Sequence, residues 1–218
     1  MPISCSIPDV SRAKSPGPRV ALSTLLQIAC CLLLVGCSFP GSVPTTVKIG
    51  LSAPFEGLHR DTGYQVLHAV RLAVRQRNDA GGVGDRYLVE LVALNDFDEP
   101  GQALVQARKM AVDDGVLGVI GGWSPQTADL AAEEYQRLGL VYLSPPGGLS
   151  FLPTPAQADP TFVERYRGLS GGPEPDPVAF WAYEAAMRLL DAFDAAAREE
   201  RQLTRTGVEA ALGQGDVD

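Results

Sequence analysis

The chain has 218 residues, 45% apolar and 20% charged, with a formal net charge of −8. That usage excludes a disordered chain as the default and supplies enough apolar surface for one core or two small ones. The acidic balance excludes the basic face that a phosphate backbone needs, so nucleic acid is not an expected partner; otherwise it speaks only to solubility.

Residues 1–36 carry Arg12, Lys14 and Arg19 ahead of an apolar run from Val20 to Val35 that only Ser23, Thr24 and Gln27 interrupt. This reads as a secretory signal, too short and too one-sided for a permanent span. The run ends in Leu34-Val35-Gly36-Cys37, which resembles the lipobox of bacterial lipoproteins. In that family the Cys is lipidated and becomes the mature N-terminus; the plain alternative is a Cys that merely closes an apolar segment. Cys5, Cys30 and Cys31 would leave with the signal, and Cys37 alone cannot form an internal disulfide. Acyl chains on Cys37 would meet the two-anchor requirement for stable membrane attachment. Cleavage would leave 15 basic and 25 acidic groups of the original 18 and 26, a charge of −10. Residues 37–45, mostly Ser, Gly and Pro around Phe39, form a tether.

Thr46 to Ser52 then reads as a strand. Gly63 to Asn78 places Val66, Leu67, Val70, Ala73 and Val74 on one face and His68, Arg71, Arg75 and Asn78 on the other, an amphipathic helix stopped by Ala80-Gly81-Gly82. Further on come a strand over Tyr87–Leu94, a helix over Gly101–Val112 with Leu104, Ala107 and Ala111 inward, and a strand over Leu117–Ile120. A helix over Gln126–Leu138 and a strand over Leu140–Leu143 complete the order βαβαβαβ. This alternation predicts an α/β fold, a parallel sheet with right-handed crossovers and helices on both faces. Ligands of such sheets sit beyond the carboxyl ends of the strands, here segments 52–62, 95–100, 121–127 and 144–150.

Signatures of catalysis are missing: there is no GxSxG, HExxH or GxxxxGK, and no Cys or His cluster with metal spacing. No enzyme, cofactor or metal is therefore expected. His59 falls in a surface loop and His68 on a polar helix face, both read as solvated. Gly82-Val83-Gly84 follows a helix rather than a strand, the wrong context for a dinucleotide turn. Asn95-Asp96-Phe97-Asp98-Glu99-Pro100 could suggest a divalent cation, but it reads better as a helix start with Asp98 as cap.

VKIGLSAPFEG, the helix ending RQRNDAGGV, NDFDEPGQALVQARKMAVDDGVLGVIG and AAEEYQRLGLVYLSPP recur in the order found in one family. Over residues 46–148 the chain resembles the N-terminal lobe of the type I periplasmic binding proteins, in particular the branched-chain amino acid (Leu/Ile/Val) receptors of ABC transporters. PTFVERYRGLSGGPEPDPVAFWAYEAAMRLLDAF is similar to that family's late segment, whose helices return to the first lobe. Between the two matches the family has a second lobe, and this chain has a Pro-rich stretch, 149–160. The resemblance implies a single Rossmann-like lobe in which helices from 161–218 pack on the body formed by 46–148. The linker Pro145–Pro160 could extend about 50 Å, against a radius of gyration near ~16 Å for a globule of this size, so it can reach.

In that family the ligand carboxylate meets hydroxyl and backbone N–H groups at the start of the third helix, and its ammonium meets groups after the fourth strand. The matching candidates are Trp123, Ser124, Gln126 and Thr127, and Ser144, Pro146 and Gly148. Ser124-Pro125 is equally a good helix start. In register, the family's binding hydroxyl after the third strand falls on Pro125, its Thr after the fourth strand on Gly148, and an aromatic on Thr62. The implied partners are a small ligand, an amino acid by the resemblance, and the membrane through the lipid anchor. An ABC permease or a second copy of the chain could also be involved; a protein-interaction module and a non-functional remnant are the alternatives. In the last long helix Val178, Trp181, Ala182, Ala185, Leu189 and Phe193 form a stripe that Phe180, Tyr183, Met187 and Leu190 widen. Glu184, Arg188 and Asp191 mark its narrow polar face, so burial on most sides is expected, with Ala185→Asp among the most damaging changes.

Overall fold

A computed structural model describes residues 45–145 and 160–214. The chain runs β1 (Thr45–Ala53), α1 (Arg60–Asp79), β2 (Tyr87–Asn95), α2 (Pro100–Val112), β3 (Val116–Ile120), α3 (Pro125–Arg137), β4 (Val141–Leu143), α4 (Pro160–Ser170), α5 (Pro177–Glu199) and α6 (Arg205–Gln214). The four strands pair in parallel in the order β2-β1-β3-β4. The first seven elements match the expected types and order, with ends shifted by a few residues.

Helices cover both faces. On one, Ile49, Leu51, Val66, Val70, Ala73, Leu117 and Ile120 form a core with Ala182, Ala186, Leu189, Leu190 and Phe193 of α5. On the other, Ala103, Ala107 and Met110 of α2 and Ala131 and Tyr135 of α3 pack on Val116 and Val119. A bulge decides which side of β3 faces which layer: Lys48 pairs with Val116 but Ile49 with Gly118, so Leu117 is an extra residue. It therefore joins the α5 side together with Gly118.

The C-terminal helices belong to this body through identifiable contacts. Gly118 admits α5: a Cβ there would lie 2.8 and 2.9 Å from the two methyls of Leu189. Gly84 N–H donates to Asp194 Oδ1 at 2.8 Å, and the Arg86 guanidinium donates to the carbonyls of Ala197, Glu200 and Arg201 at the end of α5. Those last carbonyls have no partner within the helix, which is why a cation there stabilises. Arg205, at the start of α6, donates to the carbonyls of Ala111 and Asp113 at the end of α2 and of Val116 in β3, tying α6 to the sheet. Gln65 of α1 accepts from Tyr166 Oη at 2.6 Å and donates to the Glu174 carbonyl at 3.0 Å, fixing α4 and the turn after it. Asp176 caps α5 by accepting from Ala179 N–H at 2.8 Å, with Pro177 in the first turn.

Several expectations need correction. On α2 the buried positions are Ala103, Gln106, Ala107 and Met110, whereas Leu104 and Ala111 are only half-buried. The face is rotated because Gly50 of β1 lets the Met110 sulfur come close; a Cβ there would be 3.0 Å from it. His68 is not simply solvated: it is half-buried, edge-on to Tyr166 at 6.2 Å, and burial, with Arg71 nearby, pushes its pKa down. Ala185 is buried in the core as expected, at 7% exposure, and Ala182 and Ala186, both at 0%, are further positions on α5 where a charge would be as harmful or more so. Glu184, Arg188 and Asp191 do form the exposed face of α5.

Candidate functional site at the carboxyl ends of β1 and β3

The order β2-β1-β3-β4 places the switch point between β1 and β3, since the chain moves outward from β1 in one direction through β2 and in the other through β3. A crevice for ligands opens there in sheets of this kind. Its walls are the loop from Pro54 to His59 and the turn Gly121-Gly122-Trp123-Ser124 that leads into α3.

Gly122 has φ +75, and a Cβ on it would lie 2.5 Å from Tyr142 Oη and 2.8 Å from Ala128 Cα. Only glycine serves there. The turn delivers Trp123 inward: its indole is 4% exposed, donates from Nε1 to the Ser52 carbonyl at 2.7 Å, and meets Trp181 edge-on at 5.8 Å. Trp123 thus joins the end of β1 to α5.

Ser124 and Pro125 begin α3, with Ser124 as N-cap in extended geometry. Thr127 closes the start of the helix. Its hydroxyl donates to the Ser124 carbonyl at 3.0 Å, accepts from Ser124 N–H at 3.3 Å and stands 2.9 Å from Ser124 Oγ. It is 1% exposed and also lies 3.3 Å from Asp98 Oδ1. Of the candidates at this helix start, Ser124 is half-buried and Gln126 exposed, while the polar groups of Trp123 and Thr127 are engaged within the fold. Ser144 lies apart, at the end of β4, on a cavity of about 440 Å³ lined by Leu143, Trp181, Glu184, Ala185 and Arg188. Pro146, Gly148 and Cys37 lie outside the described residues.

The stretch after β2 has a role that its sequence does not disclose. Asn95 Oδ1 accepts from Phe55 N–H and Phe97 N–H, both at 3.0 Å, and so ties the loop after β1 to the turn after β2. Asp96, 2% exposed, accepts from Ser52 Oγ at 2.8 Å and from Asp98 N–H at 3.0 Å. Burial pushes its pKa above the ordinary carboxylate value despite those bonds. Phe97 and Asp98 both sit at φ 57, a conformation uncommon for such residues that the Asn95 and Asp96 bonds hold in place. The N-cap of α2 is Glu99 rather than Asp98, with Pro100 in the first turn. The Asp98 carboxylate is instead 3.8 Å from His59 Nε2 and in reach of Thr127. The alternating Asn and Asp at 95, 96 and 98 were the available signal, because side chains of this kind bond to backbone two residues on. Below the turn, Tyr135 and Tyr142 stack at 4.5 Å with buried hydroxyls that have no partner among the described residues, and burial raises the pKa of both. Among the described residues no three His, Cys, Asp or Glu gather as a metal site, and no helix is long and apolar enough to cross a membrane.

The described residues thus form a parallel α/β lobe whose strand-end loops follow β1 and β3. The family model of the periplasmic binding proteins matches residues 46–162. "Leu/Ile/Val-binding protein homolog 1" of Brucella abortus is 30% identical over 108 residues, 50% of this chain and 29% of that protein. An "Amino acid binding protein" of Pseudomonas aeruginosa is 29% identical over 125 residues, 57% of this chain and 30% of that protein. The chain thus spans less than a third of the length of these relatives. Among solved structures, the branched-chain amino acid transporter substrate binding protein LivJ from Streptococcus pneumoniae, in complex with isoleucine, superimposes with a TM-score of 0.65 at 12% identity, covering 78% of this chain and 88% of that one. A substrate-binding periplasmic protein from Ralstonia solanacearum gives 0.62 at 14% identity, covering 76% and 88%. Residues up to 145 are too few to supply such coverage, so the C-terminal helices share in the likeness of fold. The chain belongs to the periplasmic binding proteins, a family of solute-binding proteins rather than of enzymes.

Proposed function

We propose that the chain is an extracytoplasmic solute-binding lipoprotein of the branched-chain amino acid kind, reduced to one lobe and a weak binder of its ligand. The carrying observation is the openness of the strand-end face: Leu58 is 91% exposed, and Pro125 and Gln126 are exposed at the start of α3. A helix N-terminus stabilises an anion by about 0.3 to 1 kcal/mol, about 2 in favourable geometry, whereas micromolar affinity requires about 8 kcal/mol. Ligand sites enclose about 70 to 90% of a small molecule, and an open face leaves its far side in water. The Thr127 hydroxyl and the Trp123 N–H are already bonded within the fold, which leaves Ser124, the backbone at Gln126 and the region of Ser144, Pro146 and Gly148 as ligand contacts.

Isothermal titration of the chain with leucine, isoleucine and valine tests this reading. Dissociation constants weaker than about 0.1 mM are expected, equivalent to less than about 5.5 kcal/mol, and low-micromolar binding by the monomer would refute it. Anchoring through Cys37, after removal of residues 1–36, accounts for the apolar run and the lone thiol behind it. Intact mass of the exported chain should show acyl chains on Cys37, and none in Cys37→Ser. If a second copy or a permease completes the cleft, size exclusion should show association that depends on the amino acid.

A further inference from the structure

The geometry points to a second binding site, away from the strand-end crevice, for a phosphate-type oxyanion in the groove between α1 and α4. Arg71 and Arg75 stand one turn apart on α1, and Arg165 of α4 lines a cavity together with Arg75. A cavity of about 620 Å³ is lined by His68, Arg71, Val74, Arg75, Leu91 and Leu169, and it adjoins one of about 660 Å³ to which Arg165 belongs. The two share Arg75, Asp79 and Leu169 and so form one groove.

Three features single it out. None of the three guanidiniums has a hydrogen bond or ion pair among the described residues, whereas Arg77, Arg108, Arg137, Arg167 and Arg198 all have carboxylate partners. Like charges at i and i+4 on a helix repel, and Asp79, one turn beyond Arg75, is the acidic side chain that lines the groove. The chain as a whole carries −8, so a local excess of positive charge is not a consequence of composition. An oxyanion between Arg71, Arg75 and Arg165 would accept paired N–H donors and remove the repulsion, since guanidinium is matched to phosphate geometry. Leu91, Val74 and Leu169 give the groove an apolar wall suited to a hydrocarbon portion attached to the anion. The same chemistry is offered by free phosphate and by the headgroup of an acidic lipid.

The test is a titration of the 15N-labelled chain with inorganic phosphate at constant ionic strength, read on the side-chain Nε–Hε resonances of the arginines, and a parallel titration with a short-chain phosphatidate below its micelle concentration. Saturable shifts of Arg71, Arg75 and Arg165 are expected, with affinity reduced at least about tenfold in Arg75→Ala, the loss typical of one charged hydrogen-bonding partner. Lys109→Ala, a remote exposed cation on α2, should leave the affinity unchanged. Phosphatidate binding about tenfold or more tighter than phosphate would assign a lipid headgroup, and equal binding would assign free phosphate. The absence of saturable shifts with both probes, or equal shifts in Arg75→Ala, would overturn the site. Amino acid binding at the strand ends is read on other resonances, so either result leaves the function proposed above to its own test.

Discussion

Substituting Gly118 tests where α5 lies. The glycine does not have a positive φ, so adding a side chain strains no backbone torsion and the outcome is set by packing. A Cβ at 118 would lie 2.8, 2.9 and 3.3 Å from Cδ1, Cδ2 and Cγ of Leu189, all from one fully buried side chain of a helix that begins more than fifty residues later in the chain. Gly118→Ala gains about 0.5 to 1 kcal/mol from lower chain entropy in the unfolded state and loses about 1 to 3 kcal/mol to overpacking, a net loss near ~1 kcal/mol. Leu189→Ala alone should cost about 2 to 5 kcal/mol. Together, the new methyl enters space that the leucine has vacated, so the double variant should be at least about 1 kcal/mol more stable than the sum predicts, within the range measured for contacting residues. Urea unfolding followed by tryptophan fluorescence reads this well, because Trp123 and Trp181 lie on the two sides of the same junction. Additivity within about 0.5 kcal/mol would mean that α5 does not rest on β3.

Two further predictions follow from the packing and electrostatics. Arg86→Ala removes the donor that closes the end of α5 and should cost about 1 to 3 kcal/mol by urea unfolding, whereas Arg201→Ala, whose side chain has no such role, should stay within about 0.5 kcal/mol. Asp96 has its pKa raised by burial, so the folded state holds the proton more tightly than the unfolded one. The contribution of Asp96 to stability should therefore fall as pH rises from the ordinary value of 3.8 through the raised one and level off above it, so Asp96→Asn should change the pH dependence of thermal melts across pH 3 to 7 by removing that fall. An unchanged pH dependence in Asp96→Asn would remove Asp96 as its source.

The layered α/β body was legible because each strand and helix carries its own period, Val66 to Val74 being the clearest case, and because glycine punctuates the joins. What the period cannot convey is how deep a neighbour allows a helix to sit. Met110, rather than Leu104, is buried because Gly50 on another element leaves room for it. His68 reads as polar-face solvent until α4, about a hundred residues on, closes over it with Tyr166. α6 carries little signal of its own in the sequence: it is short, and its start rests on Thr204, whose hydroxyl accepts from Gly207 N–H at 3.1 Å, with Arg205 tying it to carbonyls of α2 and β3. At the candidate site the helix start at Ser124-Pro125 was readable from residue type, whereas the commitment of Thr127 to it depends on a geometry that forms only when the turn is in place. The bond from Trp123 to Ser52, across 71 residues, had no local signal at all.

Native-state hydrogen exchange of the α5 amides tests the account most directly. If the two stretches flanking the Pro-rich segment form one cooperative body, the buried stretch from Ala182 to Phe193 should exchange only through global unfolding, with the same opening free energy and denaturant dependence as Ile49 to Leu51 of β1. Protection of β1 at that level with α5 exchanging several kcal/mol more easily, about 3 or more, would contradict it.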